Sequence, residues 1–527
     1  MNDRESKNQE RREIATWRAT AAQTLDSGRS DAIEKRHAKG FRSARENLAD
    51  LCDQDSFNEY GQMAVAAQRG RIAADKIRTQ TAGDGIITGT GSVNGQYFPA
   101  DKSRCAIVIN DYTVLAGTQG YFHHHKLDRI LQQAKQQRLP VIMYTEGGGG
   151  RPGDTDVQTQ IAGLNIPSFA LWAELSGLVP RIAVNNGYCF AGNAALFGCA
   201  DVTIATRQSY IGMAGPAMIE GGGLGSFHPR EIGPIEVQSR NGVVDVVAED
   251  EAHATQLAKA LLAMVQGDVT AGPVADQQWL TQALPEDRRY AYPVRPIIEC
   301  IADSHSFIEL RAEDRRSIVT GFMRINGKPM GVMANDCRIL GGAIDGAAAE
   351  KAARFIQLCD HWRLPILSLC DTPGFMVGPD SEAQAAVRRM SRLFTAGASC
   401  TVPIVSIFLR KAYGLGAMAM TGGSFHRPVY SASWPMGEFG AMGLEGAVHL
   451  GFKKELDATA SDEEREQLFE QLLAEMHKRG QATEAAAFLE IDAVIDPADT
   501  RNHVLRALAA AGDDYKHQTA RAFADPF

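Results

Sequence analysis

The sequence lacks the features that would mark most other fates for a chain of 527 residues. None of its nine cysteines stands in a Cys-x-x-Cys pair, and the odd count argues against a disulfide framework. Reduced thiols in a cytoplasmic protein, without a zinc site, are expected. No stretch approaches ~18 uninterrupted apolar residues, and the charged start through Arg11 and Arg12 leads into no apolar run. Neither a membrane span nor a secretory leader is expected. The phosphate loop Gly-x-x-x-x-Gly-Lys-Ser/Thr and the nucleophile elbow Gly-x-Ser-x-Gly are absent, and Gly89-Thr90-Gly91 with Gly95 misses the dinucleotide fingerprint by one residue. The formal net charge of −9 excludes nucleic acid as the main partner, because phosphate backbones demand a basic excess. It leaves room for CoA, whose phosphates need only a few local cations.

What is present is glycine, 51 residues of it, and enough apolar residues (44%) for more than one core. Residues 1 to about 75 read as a charged helical leader that faces outward. From Gly83 the pattern turns to short β-branched runs such as Ile86-Ile87-Thr88 and Ala106-Ile107-Val108-Ile109, which predict strands.

Self-similarity decides the architecture. Residues 110–140 laid over 335–365, an offset of 335 less 110 or 225, match at ten positions, from Asn110/Asn335 and Asp111/Asp336 to Arg138-Leu139-Pro140/Arg363-Leu364-Pro365. Chance would give about two, at ordinary residue frequencies. Thr88-Gly89 and Asn94-Gly95 answer Thr320-Gly321 and Asn326-Gly327, so the first copy carries seven extra residues in between; Ser56-Phe57-x-Glu59 answers Ser306-Phe307-x-Glu309. The expectation is a duplicated α/β domain, 1–280 and 281–527, divided in the polar stretch Asp276–Pro296. Ser461 to Lys478 reads as a surface helix.

Two loop pairs could carry chemistry. The run Glu146-Gly147-Gly148-Gly149-Gly150-Arg151 follows the strand Val141-Ile142-Met143, and four glycines together suit a backbone that must approach a ligand. The segment Val179 to Leu196 turns from strand into a helix opening on Ala191-Gly192-Asn193-Ala194, whose N–H groups lack intrahelical acceptors and suit an oxyanion. The second copy repeats the pair as Asp371-Thr372-Pro373-Gly374-Phe375 and Arg410-Lys411-Ala412-Tyr413-Gly414-Leu415-Gly416-Ala417. A Gly- and Met-rich stretch, Ile211 to Gly225, suits the wall of an acyl site, with Ser433 to Gly443 as its counterpart. His123-His124-His125 lacks metal-ligand spacing and reads as a surface or interface cluster.

Together these segments resemble the carboxyltransferase (β) subunits of biotin-dependent acyl-CoA carboxylases, acting on propionyl-, acetyl- or methylcrotonyl-CoA. The resemblance runs from Lys35-Arg36-His37-Ala38-Lys39-Gly40 to Asp496-Pro497-Ala498-Asp499-Thr500-Arg501. Gly331-Val332-Met333-Ala334-Asn335, Lys351-Ala352-Ala353-Arg354-Phe355, Asp371–Phe375 and Arg410–Gly414 carry it most specifically. It implies a tandem of crotonase-like domains, assembled as a homo-hexamer, with acyl-CoA in the N-terminal domain and biotin in the C-terminal domain of a neighbouring subunit. Gly192 and Asn193 would then hold the thioester enolate, and Gly416 and Ala417 the ureido oxygen. Gly148, Gly149, Gly150, Ala191, Gly215, Tyr413, Gly414 and Leu415 would line the substrates. No protein base is implied: the biotin nitrogen exposed by loss of CO2 takes the α-proton, and enolate stabilisation is left to the protein. The sequence departs from the family pattern in its expanded glycine run, in Asn193, and in Leu415 between the glycines of the biotin loop. No Met-Lys-Met site or ATP-grasp region is present, so biotin is expected on a partner, a biotin carboxylase or carboxyl carrier chain. A biotin-dependent decarboxylase subunit and a non-catalytic scaffold are the alternatives.

Overall fold

Unbroken apolar runs such as Cys105-Ala-Ile-Val-Ile109 and Ile366-Leu-Ser-Leu-Cys370 form strands buried along both faces, which requires helices above and below the sheet. The computed structural model describes residues 11–157 and 164–517, in two units, Met1–Gln266 and Gly267–Phe527.

In the first unit seven strands lie in the order Asn58–Tyr60, Ile86–Ser92, Arg104–Asn110, Val141–Tyr144, Arg181–Asn185, Val202–Thr206, Val246–Ala248. The first two junctions are antiparallel and the rest parallel. In the second unit Ile308–Leu310, Ile318–Ile325, Lys328–Asn335, Ile366–Thr372, Ile404–Tyr413, Tyr430–Ser433 and Ala493–Val494 follow the same order and directions, with Glu438–Gly440 added beside the end of Ile404–Tyr413. Each sheet has its own apolar core, centred on residues such as Val108, Met143 and Trp172 in the first and Val332, Leu367 and Trp434 in the second.

The repeated residues do the same work in each unit. Helices Tyr121–Gln137 and Gly346–Trp362 both end on an arginine in the left-handed region, Arg138 (φ 54) and Arg363 (φ 58), and Leu-Pro then starts the next strand. Lys126 Nζ donates to the carbonyls of Gly83 and Ile86, and Lys351 Nζ to those of Arg311, Asp314 and Ile318, so each lysine ties its helix to the start of an antiparallel strand. Asn326-Gly327 (φ 55 and 75) makes a tight hairpin, whereas the first unit spends its extra residues on the connection 93–103 with a short helix, Ala100–Ser103.

Four expectations need correction. The division falls at Gln266/Gly267 rather than near 280: the stretch 276–296 looks polar, but Leu280, Tyr292 and Val294 are anchored in the second core. The leader is not helical throughout; after Arg12–Ala22, Ser30–His37 and Ala44–Leu51 it supplies the edge strand Asn58–Tyr60. Nor does it only face outward: helix Arg12–Ala22 buries nothing, but Ile33, Arg36, Leu48 and Leu51 are buried. His123 and His124 are buried as well, because positions 123, 124, 127, 130 and 131 form the inner face of their helix. The helix predicted near Ser461 to Lys478 is present as Asp462–Arg479, with no buried residue. Among the described residues no helix is long and apolar enough to cross a membrane.

Replacing Lys351 with Met keeps the stem but orphans three buried carbonyls. We expect a loss of about 2–4 kcal/mol of stability, read as a lower melting temperature. An unchanged melting temperature would show that the lysine is not structural.

Candidate functional site

In the first unit the site assembles where two neighbouring parallel strands end. After Val141–Tyr144 the chain enters the glycine run, and after Arg181–Asn185 it makes a short second strand, Tyr188–Phe190, and then helix Gly192–Gly198. Gly147 is stitched to Tyr188–Phe190 from both sides, its N–H donating to Tyr188 O (2.7 Å) and its carbonyl accepting Phe190 N–H (2.9 Å). A Cβ on Gly147 would stand 2.2 Å from Gly117 O, and one on Gly149 (φ 88) 2.7 Å from the Ala191 Cβ. These two glycines are needed for packing, while Gly148 and Gly150 face outward.

Most donors of the run are consumed internally. Gly148 N–H donates to Ala116 O (3.1 Å), Gly149 N–H to Asn193 Oδ1 (3.0 Å) and Arg151 N–H to Gln119 O (2.8 Å). Only Gly150 among residues 147–151 has no acceptor for its N–H among the described residues. Ala195 N–H closes the first helical turn on Ala191 O (2.9 Å), which leaves the N–H groups of Gly192 and Asn193 outside the helical ladder. Ala191 is held at φ 51, ψ −121, a conformation an alanine adopts only under strain of about 1–3 kcal/mol. The Asn193 side chain is fully buried and also donates to Thr145 O (3.1 Å), so it staples the helix start to the glycine run. Gly215 lies against the Phe190 ring as the N-cap of helix Pro216–Gly221; Met213, Met218, Leu224 and Phe227 beside it are exposed.

The second unit repeats the contact with backbone alone. A Cβ on Gly416 would lie 2.6 Å from Gly374 C, and Gly414 takes φ 57 where the first unit strains Ala191. Helix Gly414–Met420 opens beside an exposed Leu415, with Ala417 one position deeper and fully buried. Tyr413 Oη donates to Glu438 Oε2 (2.8 Å), and Glu438 pairs with Arg288 (2.7 Å); burial beside that carboxylate pushes the phenol well up. Behind the loop Asp371 accepts Lys411 N–H (3.0 Å) and Tyr292 Oη–H (2.7 Å) and pairs with Arg410 (3.2 Å).

One large feature was not anticipated from the sequence. A cavity of about 1380 Å³ is lined by Arg29, Lys35, Arg36, Lys39 and Arg230, by aromatic rings including Phe41, Tyr112 and Tyr188, and by Glu146 and Gly187 at the root of the two loops. Its cations come mainly from helix Ser30–His37 and the turn after it. The signal was present in Lys35-Arg36-His37-Ala38-Lys39-Gly40, but charged residues on a helix read equally well as a solvated face. Arg36 anchors the wall: it forks onto Glu146 (2.9 and 2.6 Å), reaches Glu251 (3.3 Å) and stacks on Phe41 (4.5 Å).

Comparison with known proteins gives the family. The sequence model of the carboxyl transferase domain family matches residues 35–524. The methylmalonyl-CoA carboxyltransferase 12S subunit of Propionibacterium freudenreichii subsp. shermanii is 31% identical over 503 residues, covering 93% of this chain and 92% of that one. Among solved structures, a single-chain, multi-domain long-chain acyl-CoA carboxylase superposes with a TM-score of 0.90 at 49% identity over 95% of this chain. This chain spans about half of that enzyme, 49% of its length. The transcarboxylase 12S hexamer, solved with methylmalonyl-CoA, superposes with a TM-score of 0.82 at 28% identity over 96% of each chain.

Burial pushes the Glu251 carboxyl from its ordinary 4.5 up to about 7, against the pull of Arg36. The folded state therefore holds a proton that the unfolded chain releases across that window. Stability from this group is full below the unfolded value and is lost as pH rises through the folded one. Melting temperatures from pH 4.5 to 7.5 should decline, and decline less steeply in Glu251→Gln. Equal slopes would place the titration elsewhere.

Proposed function

This chain belongs to the carboxyl transferase family, and we propose that it moves a carboxyl group from carboxybiotin on a partner chain to the α-carbon of an acyl-CoA. The observation that carries the reading is the basic, aromatic cavity that ends at the root of the glycine run. Its cations suit the phosphates of CoA, its rings suit the adenine, and the pantetheine arm would lead the thioester along Tyr188–Phe190 to Gly192.

The two units take different parts. Each is read as a crotonase-like domain, the pair arising by duplication, and the matching strand order supports this. In the first unit the free N–H groups of Gly150 and Gly192 are the donors offered to the thioester oxygen as it becomes an enolate. Asn193 contributes its N–H and the staple that fixes the loop; Gly148, Gly149, Ala191 and Gly215 shape the surround. In the second unit the helix start Gly414-Leu415-Gly416 faces the ureido oxygen, with Tyr413 and Ala417 bracing it. Biotin, when bound, supplies the carboxyl group and a basic ring nitrogen, so the chain itself needs to orient, exclude water and stabilise negative charge. Each oxyanion donor is worth about 3–4 kcal/mol in such a site. The partner is a biotin carboxylase or biotin carboxyl carrier, and the subunits assemble as a hexamer. The exposed methionines and Phe227 beside Gly215 favour a long apolar acyl group.

Incubating the chain with a biotin carboxylase, a biotinylated carrier, ATP and labelled bicarbonate should label one class in a panel running from acetyl-CoA to long-chain acyl-CoA. Gly416→Val, whose side chain would strike the Gly374 backbone, should lower the rate by about 100-fold or more. No label with any acyl-CoA, or a variant as active as the parent, would defeat the proposal.

A further inference from the structure

Gln119 is 4% exposed, and its Nε2 has no hydrogen-bond partner among the described residues. A buried amide N–H left unmade is disfavoured unless something arrives to meet it. Its position says what. The main chain of Gln119 runs as a parallel bridge beside Gly150, with its N–H on Gly149 O (2.7 Å) and its carbonyl taking Arg151 N–H (2.8 Å). Its side chain crosses to the other loop: a Cβ on Gly192 would stand 2.2 Å from Gln119 Oε1 and 3.1 Å from the Phe169 ring. The carboxamide thus touches both segments that hold open N–H groups.

The second unit supplies an internal control. Ile344 occupies the same place, bridging to Phe375, with its N–H on Gly374 O (3.0 Å) and its carbonyl taking Met376 N–H (2.9 Å). It is fully buried. An apolar side chain therefore satisfies this position structurally, and the amide of Gln119 is surplus to packing.

We infer that Gln119 contacts substrate, its carboxamide N–H donating to the thioester oxygen of the acyl-CoA at Gly192. The atom now beside Gly192 is the acceptor Oε1, while the unpartnered Nε2 is the buried one; no bond opposes a half turn of the carboxamide, which brings Nε2 to Gly192 and the thioester oxygen without changing its shape. The inference rests on the first unit being the acyl-CoA side.

The test compares two ligands that differ only in that oxygen: acetyl-CoA and S-ethyl-CoA, in which a methylene replaces the carbonyl. Equilibrium binding is measured to the full chain, to Gln119→Leu and to Gln119→Met, the last a closer match in shape should the leucine variant fold poorly. The parent should prefer the thioester, and either variant should lose about tenfold for acetyl-CoA while holding S-ethyl-CoA within about twofold. Equal losses for both ligands, or none for either, would overturn the role of Gln119 while leaving the acyl-CoA site in place. A parent chain that binds neither ligand would overturn the site and the inference together.

Discussion

Each unit depends on one close contact, the loop after one central strand touching the start of the helix that follows the next. Parallel strands whose carboxyl ends lie side by side bring those segments together, and such ends are where ligands bind in open α/β sheets. The contact then dictates residue type. Gly147 and Gly149 in the first unit, and Gly416 against the Gly374 backbone in the second, stand where a Cβ would overlap backbone or a neighbouring side chain at 2.2–2.7 Å. Small residues at the helix start are the condition for closure, and the unpaired N–H groups are its by-product. In the proposed reading, a site for negative charge is built by the same sterics that close the fold.

Much of this was legible in the sequence, because internal repetition turns weak local patterns into a strong one. The buried lysines 126 and 351 and the left-handed arginines 138 and 363 were visible as identities at one offset, and each proves to hold the same bond or turn in its unit. Composition misled where burial is decided far away in the chain. The polar stretch 276–296 belongs to the second core through three apolar anchors, and the charged leader folds back so that Arg36 reaches Glu146, 110 residues on. Helical spacing cannot distinguish a cation facing water from one facing a cavity.

The glycine run shows a finer limit. Four consecutive glycines looked like a set of donors, yet three of the N–H groups are already engaged, one of them by the side chain of Asn193. Where the second unit packs Gly416 against backbone, the first packs Asn193 and must hold Ala191 in a strained conformation that Gly414 adopts freely. The first unit therefore carries extra internal bonds at its loop.

That asymmetry suits the two oxygens the units would meet in the proposed reaction. An enolate carries nearly a full charge, and few rigid donors serve it better than many loose ones, since the energy comes from dipoles already oriented before charge develops. Stapling by Asn193 supplies that rigidity. A ureido oxygen shares its charge with the ring nitrogen and belongs to a ring that must arrive on a carrier and leave again. On that reading the ring would meet the first turn of helix Gly414–Met420 beside an exposed Leu415, braced from behind by Asp371, Arg410 and Tyr292. In the proposed reaction, then, the same fold is stapled by a side chain where charge would be stabilised and offers an exposed apolar lip where a group would come and go.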